Sequence, residues 1–277
     1  MSTEGAGMKT ESWAASLQRP DGVLISQVVG QALLVTLNRP QSANALDAEL
    51  MDALSSLWSV AAATPQLRCV LITGSGSAFC SGADVSMLSV ERSQLGDSAA
   101  AELAFVPGQR LAVPVITLVN GVCAGGGLHF VADADICLAG EDARFLDPHV
   151  SVGQVSALEP LLLRSRVRRD VITRMVLLGR HEQLSAQDAR RAGLVSEVVP
   201  GGDLVQRGLE LAELIALNSP EAVRQSRRVL RVVEERELAT ELDLGWELVR
   251  RHHSHPDAQE GPRAFLEKRP AQWVMPS

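Results

Sequence analysis

Val119-Asn120-Gly121-Val122-Cys123-Ala124-Gly125-Gly126-Gly127 is the stretch on which the reading of this chain turns. It follows an apolar run, residues 115–119, that has the length and composition of a buried strand, and it leads into a helical pattern from about Gly126. Three consecutive glycines at the start of a helix let a ligand come close to the backbone. They also leave unpaired N–H groups at the end of the helix where its dipole favours negative charge. A tight strand–helix crossing that only glycine fits is the alternative. A second glycine-containing turn, Phe79-Cys80-Ser81-Gly82-Ala83-Asp84, follows another strand-like segment. Neither turn is a phosphate loop, because G-x-x-x-x-G-K-[ST] and G-x-G-x-x-G are both missing. The residues alone point to an oxyanion site without naming a reaction.

Working outward, residues 23–29 and 32–37 are two apolar runs around Gly30-Gln31 and read as a hairpin. Leu46, Leu50, Leu54 and Leu57 recur at helical spacing up to about Ala63, and residues 69–73 (CVLIT) read as a strand buried on both faces. A helical stretch is expected at 98–111 and a strand at 134–138. This alternation predicts an α/β fold with a mostly parallel sheet and functional residues on the turns after the strands. Beyond Val199-Pro200 the strand patterns stop. Residues 203–253 read as helical and the rest as a polar tail, which gives three parts: a disordered leader (1–20), a core carrying the site (21–200) and a helical C-terminal region (201–277).

The chain has 277 residues, of which 46% are hydrophobic and 21% charged, the balance of an ordinary globular protein rather than a disordered or fibrous one. A net charge of −7 argues against a nucleic-acid or anionic-membrane partner and for a small-molecule substrate. Tyrosine is absent, and Lys9 and Lys268 are the only lysines, so contacts to phosphate or carboxylate fall mainly to arginine. Cys69, Cys80, Cys123 and Cys137 form no C-x-x-C pair and read as buried thiols in a reducing compartment. The polar N-terminal residues and the lack of a long apolar run lead to the expectation of a cytoplasmic protein.

Several spaced segments resemble one family. Asn38-Arg39-Pro40-Gln41-Ser42-Ala43-Asn44-Ala45-Leu46, residues 78–84 (AFCSGAD), residues 119–127, residues 184–195 (LSAQDARRAGLV) and residues 260–270 (EGPRAFLEKRP) are similar, in order, to the crotonase or enoyl-CoA hydratase/isomerase superfamily. The resemblance implies a crotonase-like spiral of ββα units with a C-terminal helical trimerisation region and self-association as a trimer or a dimer of trimers. It implies an acyl-CoA thioester as substrate and no cofactor beyond the coenzyme A of that substrate; no metal is expected either, because His252, His253 and His255 lack the framework of a zinc site. The thioester enolate would be held by the backbone N–H groups of Ala83 and Gly126. Substrate contacts would fall to Ala43, Ser81, Gly82, Asp84, Gly125, Gly127 and Lys268, while Ser42 stands near where many relatives carry a basic residue for coenzyme A. Residues 87–111 and the region around 148–163 would line the acyl pocket.

One departure stands out. Hydratases of this family carry a catalytic glutamate two residues after the glycine triplet and another after a proline, and here those places hold His129 and His149. A histidine pair sharing one proton carries about one positive charge where a glutamate pair carries about one negative. The pair would therefore serve as the general acid and base and favour a more developed enolate. Hydration or isomerisation of an enoyl-CoA is the expectation from the family. Hydrolysis of an acyl-CoA or of a C–C bond (retro-Claisen) by the histidine pair is the alternative from the residues, and a non-catalytic acyl-CoA-binding homologue is a third reading. Asp84 and Asp147 compete for the base role, and Glu159 is a candidate replacement carboxylate, although Pro160 beside it also reads as a helix start. Residues 252–257 (HHSHPD) read as surface tail, and Arg164, Arg166, Arg168 and Arg169 as a solvated face.

Overall fold

The computed structural model describes residues 13–84 and 97–274. Leu24–Val29 (β1) and Ala32–Leu37 (β2) form the expected hairpin, antiparallel across Gly30, whose φ of 60° suits the turn. Ala48–Ala62 (α1) follows, capped by the Asp47 side chain accepting from the Leu50 N–H. From there one unit repeats: a strand in a large sheet, a tight turn, a short strand in a small sheet, then a helix. Cys69–Gly74 (β3) and Ala78–Cys80 (β4) precede Ala99–Glu102 (α2), Val115–Val119 (β5) and Val122–Ala124 (β6) precede Gly127–Asp133 (α3), and Ile136–Gly140 (β7) and Arg144–Leu146 (β8) precede Leu158–Leu163 (α4). Arg169–Leu178 (α5), Leu184–Ser185 (β9), Ala186–Arg191 (α6) and Glu197–Val199 (β10) complete the core. Leu204–Ala216 (α7), Pro220–His252 (α8) and Pro256–Leu266 (α9) end the described chain.

The large sheet runs β1-β2-β3-β5-β7-β10, parallel from β2 onward, and the small one β4-β6-β8-β9, parallel except for β9. This is a spiral of ββα units, as the resemblance implies. Successive turns stack so closely that two of them admit only glycine: a Cβ on Gly121 would lie 2.0 Å from the Ser77 carbonyl oxygen, and one on Gly74 2.5 Å from that of Ala78. The core fills both faces of the sheet. On one, α1 buries Leu50, Leu54, Leu57 and Trp58, and Trp58 Nε1 donates to the Phe105 carbonyl at 2.7 Å. On the other, α7 brings Gly208 down onto Leu71 and Leu118. Each large apolar side chain so buried contributes about 1.5–3 kcal/mol. The four cysteines are free and buried, and burial pushes the thiols of Cys69, Cys80 and Cys137 up to about 12. Among the described residues no helix is long and apolar enough to cross a membrane.

The structure departs from the sequence reading in several places. Residues 98–111 form only the short α2, capped by Ser98, and a 3-10 turn at Gly108–Arg110, because Pro107 and a left-handed Gly108 interrupt the pattern. The strand expected at 134–138 begins at Ile136, since the Asp135 carboxylate turns to the Val115 N–H and to Arg227. The helical run at 203–253 is broken at 217–219, where Ser219 caps α8 and Pro220 takes its first turn. Of the expected leader, residues 1–12 lie outside the described residues. Residues 13–20 are tied down: Leu17 is buried, its carbonyl accepts from the Ser26 hydroxyl, and Arg19 pairs with Ser26. Residues 85–96, part of the expected acyl wall, also lie outside the described residues.

Candidate active site

The turn at 81–84 is fixed from below. Arg39 reaches across it, with Asp47 at 2.8 Å, Asp84 at 3.2 Å and the Ala45 carbonyl at 2.5 Å, while buried Asn44 donates to the carbonyls of Ser75 and Ala78. Ala43 and Asn44 both take left-handed φ angles, and the Ser81 N–H bonds to the Ala43 carbonyl. Leu46 and Ala83 then form a parallel bridge in which the Leu46 N–H bonds to the Gly82 carbonyl and the Asp84 N–H to the Leu46 carbonyl. In such a bridge the central residue of the second strand turns its own N–H to the opposite side, so the Ala83 amide faces away from Leu46. The glycine triplet lies there. A Cβ on Gly126 would be 3.7 Å from the Ala83 nitrogen, and one on Gly82, whose φ is 93°, would be 3.2 Å from the Gly126 nitrogen. Among the described residues neither of these two amides donates to a backbone carbonyl outside the regular elements. Sequence-expected contacts Ala43, Ser81, Gly82, Asp84, Gly125 and Gly127 thus converge on one backbone crossing. Asp84 is occupied by Arg39 rather than standing as a free base.

His149 opens a 3-10 turn after β8 and lays its Cε1 over Gly125, 3.4 Å from where a Cβ would stand. His129 sits on the first turn of α3, just past the triplet, with its ring edge-on to Phe105 at 5.9 Å. The two imidazoles meet through a third side chain. Glu159 Oε1 lies 3.0 Å from His129 Nε2 and 3.6 Å from His149 Nε2. Behind His149, Asp147 Oδ1 accepts from Nδ1 at 2.6 Å, and its other oxygen accepts from the Ser156 hydroxyl at 2.6 Å. The array therefore runs Asp147, His149, Glu159, His129. Its carboxylates and His129 are buried, while the His149 side chain keeps 23% of its surface exposed.

The electrostatics follow from that order. Burial works against the His149 imidazolium, but the negative charges of Glu159 and Asp147 and the Asp147 hydrogen bond outweigh it and raise its pKa to about 9. Burial likewise favours a neutral Glu159, yet the charges of His149 and His129 and the His129 hydrogen bond hold its carboxyl well below the usual carboxylate range. The sequence reading of an isolated pair with one positive charge is thus revised, because two carboxylates are interleaved with the rings. The grouping of Asp147, His149 and Glu159 is also a poor cation cage, since the two carboxylates face opposite nitrogens of a single imidazole.

Lys268 takes no part in the hydrogen bonds that join the crossing. It follows α9 with a φ of 52° and bonds its amide to the Phe265 carbonyl. The 252–257 segment is not a tail but the corner between α8 and α9, where His252 Nε2 meets the Gly153 carbonyl at 2.7 Å and His255 caps α9. Arg164, Arg168 and Arg169 are exposed, as expected of a solvated surface, the first two beside Glu241 and Asp170, while Arg166 turns inward to the Ala134 carbonyl.

The family model described as "Enoyl-CoA hydratase/isomerase" matches residues 28–275. The chain is 33% identical over 252 residues to enoyl-CoA hydratase EchA19 of Mycobacterium tuberculosis, covering 87% of this chain and 92% of that one. It is 34% identical to mevalonyl-coenzyme A hydratase SIDH of Beauveria bassiana, covering 87% and 90%. Among solved structures, an enoyl-CoA hydratase/isomerase from Pseudoalteromonas atlantica superposes with a TM-score of 0.83 at 29% identity, over 91% of this chain and all (100%) of the other. An enoyl-CoA hydratase/isomerase from Mycobacterium paratuberculosis gives 0.74 at 35%, over 91% and 98%.

Proposed function

Because the chain belongs to the enoyl-CoA hydratase/isomerase family, we propose that it adds water to, or shifts the double bond of, an acyl-CoA thioester, with the Ala83 and Gly126 amides holding the enolate oxygen and the array of His149, Glu159 and His129 moving the protons. The observation that carries this reading is the buried Glu159 carboxylate between two imidazoles, one of which lies over the glycine triplet. In hydration, a water oxygen bonds to the β carbon, the electron pair of the double bond moves onto the thioester oxygen, and two preorganised amides stabilise that charge by a few kcal/mol each. The Glu159 carboxylate, with His129 on its other side, accepts the proton from the water. His149, charged below about pH 9, delivers a proton to the α carbon. Donor and acceptor support one another: when the imidazolium releases its proton, the charge that keeps Glu159 a weak base leaves with it. Asp147 keeps the His149 ring in register and fixes Nε2 as the nitrogen that faces the site. The substrates are acyl-CoA thioesters with no separate cofactor, and the working unit is a trimer or a dimer of trimers.

A second reading draws on the raised imidazolium of His149. A positive ring beside the enolate favours chemistry in which the anion is more fully developed, including hydrolysis of the thioester or of a C–C bond in a β-keto-acyl-CoA. Product masses separate the two. Crotonyl-CoA and longer enoyl-CoAs are expected to gain one water with coenzyme A retained, and β-keto-acyl-CoAs to stay intact. Free coenzyme A or a cleaved skeleton would establish the hydrolytic reading. Turnover that survives the double change His129→Gln/His149→Gln would remove the two histidines from either, leaving Glu159 alone.

A further inference from the structure

A cavity of about 950 Å3 opens on the other side of His129. It lies between α2 with its following turn, α4 and the middle of α8, and Ala100, Leu103, Ala104, Leu162, Ala239 and Leu242 are among its walls. Four of the charged side chains on its wall are engaged with each other, Arg231 with Asp133 at 3.0 Å and Arg164 with Glu241 at 2.8 Å, Arg110 donates to the Ser55 hydroxyl, and Asp243 also borders the space, whose surface is otherwise mostly apolar. His129 is where this cavity meets the acid–base array. Its Nε2 faces Glu159, and its Nδ1 is buried without a hydrogen-bond partner among the described residues.

We propose that this cavity receives the acyl group, and that the enzyme works on acyl-CoAs far bulkier than crotonyl-CoA, with a long or ring-bearing apolar acyl part. The inference rests on the acyl-CoA reading above. At about 30 Å3 per heavy atom, the share a water takes in the liquid, the cavity holds about thirty such atoms, whereas a crotonyl group has about five. A short acyl chain leaves most of the apolar wall facing solvent, and each further methylene placed against it adds favourable burial. Alanines at positions 100, 104 and 239 keep the space open where larger side chains would close it. Ala100 and Ala239 are exposed, so enlarging them leaves the core packing untouched.

The test uses inert thioethers, S-butyl-CoA and S-dodecyl-CoA, which neither hydration nor hydrolysis consumes, titrated calorimetrically into the full-length protein and into Ala100→Trp/Ala239→Trp. S-dodecyl-CoA is expected to bind at least about tenfold tighter than S-butyl-CoA, and the double variant to remove most of that preference. Equal affinities, or a preference unmoved by the two tryptophans, would overturn the inference, and with crotonyl-CoA still turned over the reading of the reaction would stand. Binding of neither thioether, together with no turnover of any thioester, would overturn both.

Discussion

Glu159 alters what two histidines at these positions do. Alone, adjacent imidazoliums repel, whereas a carboxylate between the rings offsets the charge that His149 carries. The sign of the consequence is fixed by His149, whose folded value of about 9 lies above its ordinary 6.5. Its stabilisation is fully present below about pH 6.5 and is lost as pH rises through about 9, with a ceiling on the order of 3 kcal/mol. Glu159 works in the opposite direction, since its lowered value stabilises above the ordinary carboxylate range and is lost in strong acid. Melting temperatures between pH 6.5 and 10 are therefore expected to fall in the native protein and to be flatter in His149→Gln. Glu159→Gln keeps the shape but removes the charge, and is expected to lower kcat by about 10²–10⁴-fold and to shift the alkaline limb of the pH–rate profile downward. An unmoved limb would detach Glu159 from His149. The role of Glu159 was only half legible in the sequence. Its position beside Pro160 fits a helix start equally well, and nothing in the spacing of residues 129, 149 and 159 says that their tips converge.

The elements that read clearly are those whose local pattern and tertiary use agree. The hairpin of β1 and β2, the fully apolar β3 and β5, and the glycine triplet before α3 were readable because burial on both faces demands continuous apolar runs and the turn demands glycine. The stretch at 98–111 misled because Leu103, Val106 and Leu111 mimic helical spacing while serving the core from a broken segment. The corner at 252–257 misled because its polar residues suggest solvent, although His252 and α9 brace the turn that starts at His149. That bracing is close: a Cβ on Gly261 would lie 2.0 Å from the Val152 carbonyl oxygen. Gly261→Ala is expected to cost about 1–3 kcal/mol in denaturant titration. His252→Leu removes the nitrogen that meets the Gly153 carbonyl, and its kcat is expected to fall roughly fivefold below that of His252→Gln, which keeps a donor. Equal rates for the two would show that the contact does not position His149.

At the scale of the whole molecule, the C-terminal helices carry apolar surface that this chain by itself leaves in water. Leu217, Val229 and Leu230 are 83%, 69% and 76% exposed. Surface of that kind is expected to be covered by other copies, so sedimentation velocity should give an oligomer, and Val229→Asp/Leu230→Asp should shift it toward the monomer. A monomer in the unsubstituted protein would contradict the trimer implied by the family. The buried thiols have a consequence of another kind. Cys69 and Cys137 lie in strands of the large sheet, Cys80 and Cys123 in strands of the small one, all four enclosed, and none ionises near neutral pH where burial holds three of them at about 12. An alkylating reagent can reach them only when the spiral opens. The protein thus carries its own stopwatch for unfolding, with the rate of labelling reporting how often, and the number of labelled sulfurs how completely, the two sheets come apart.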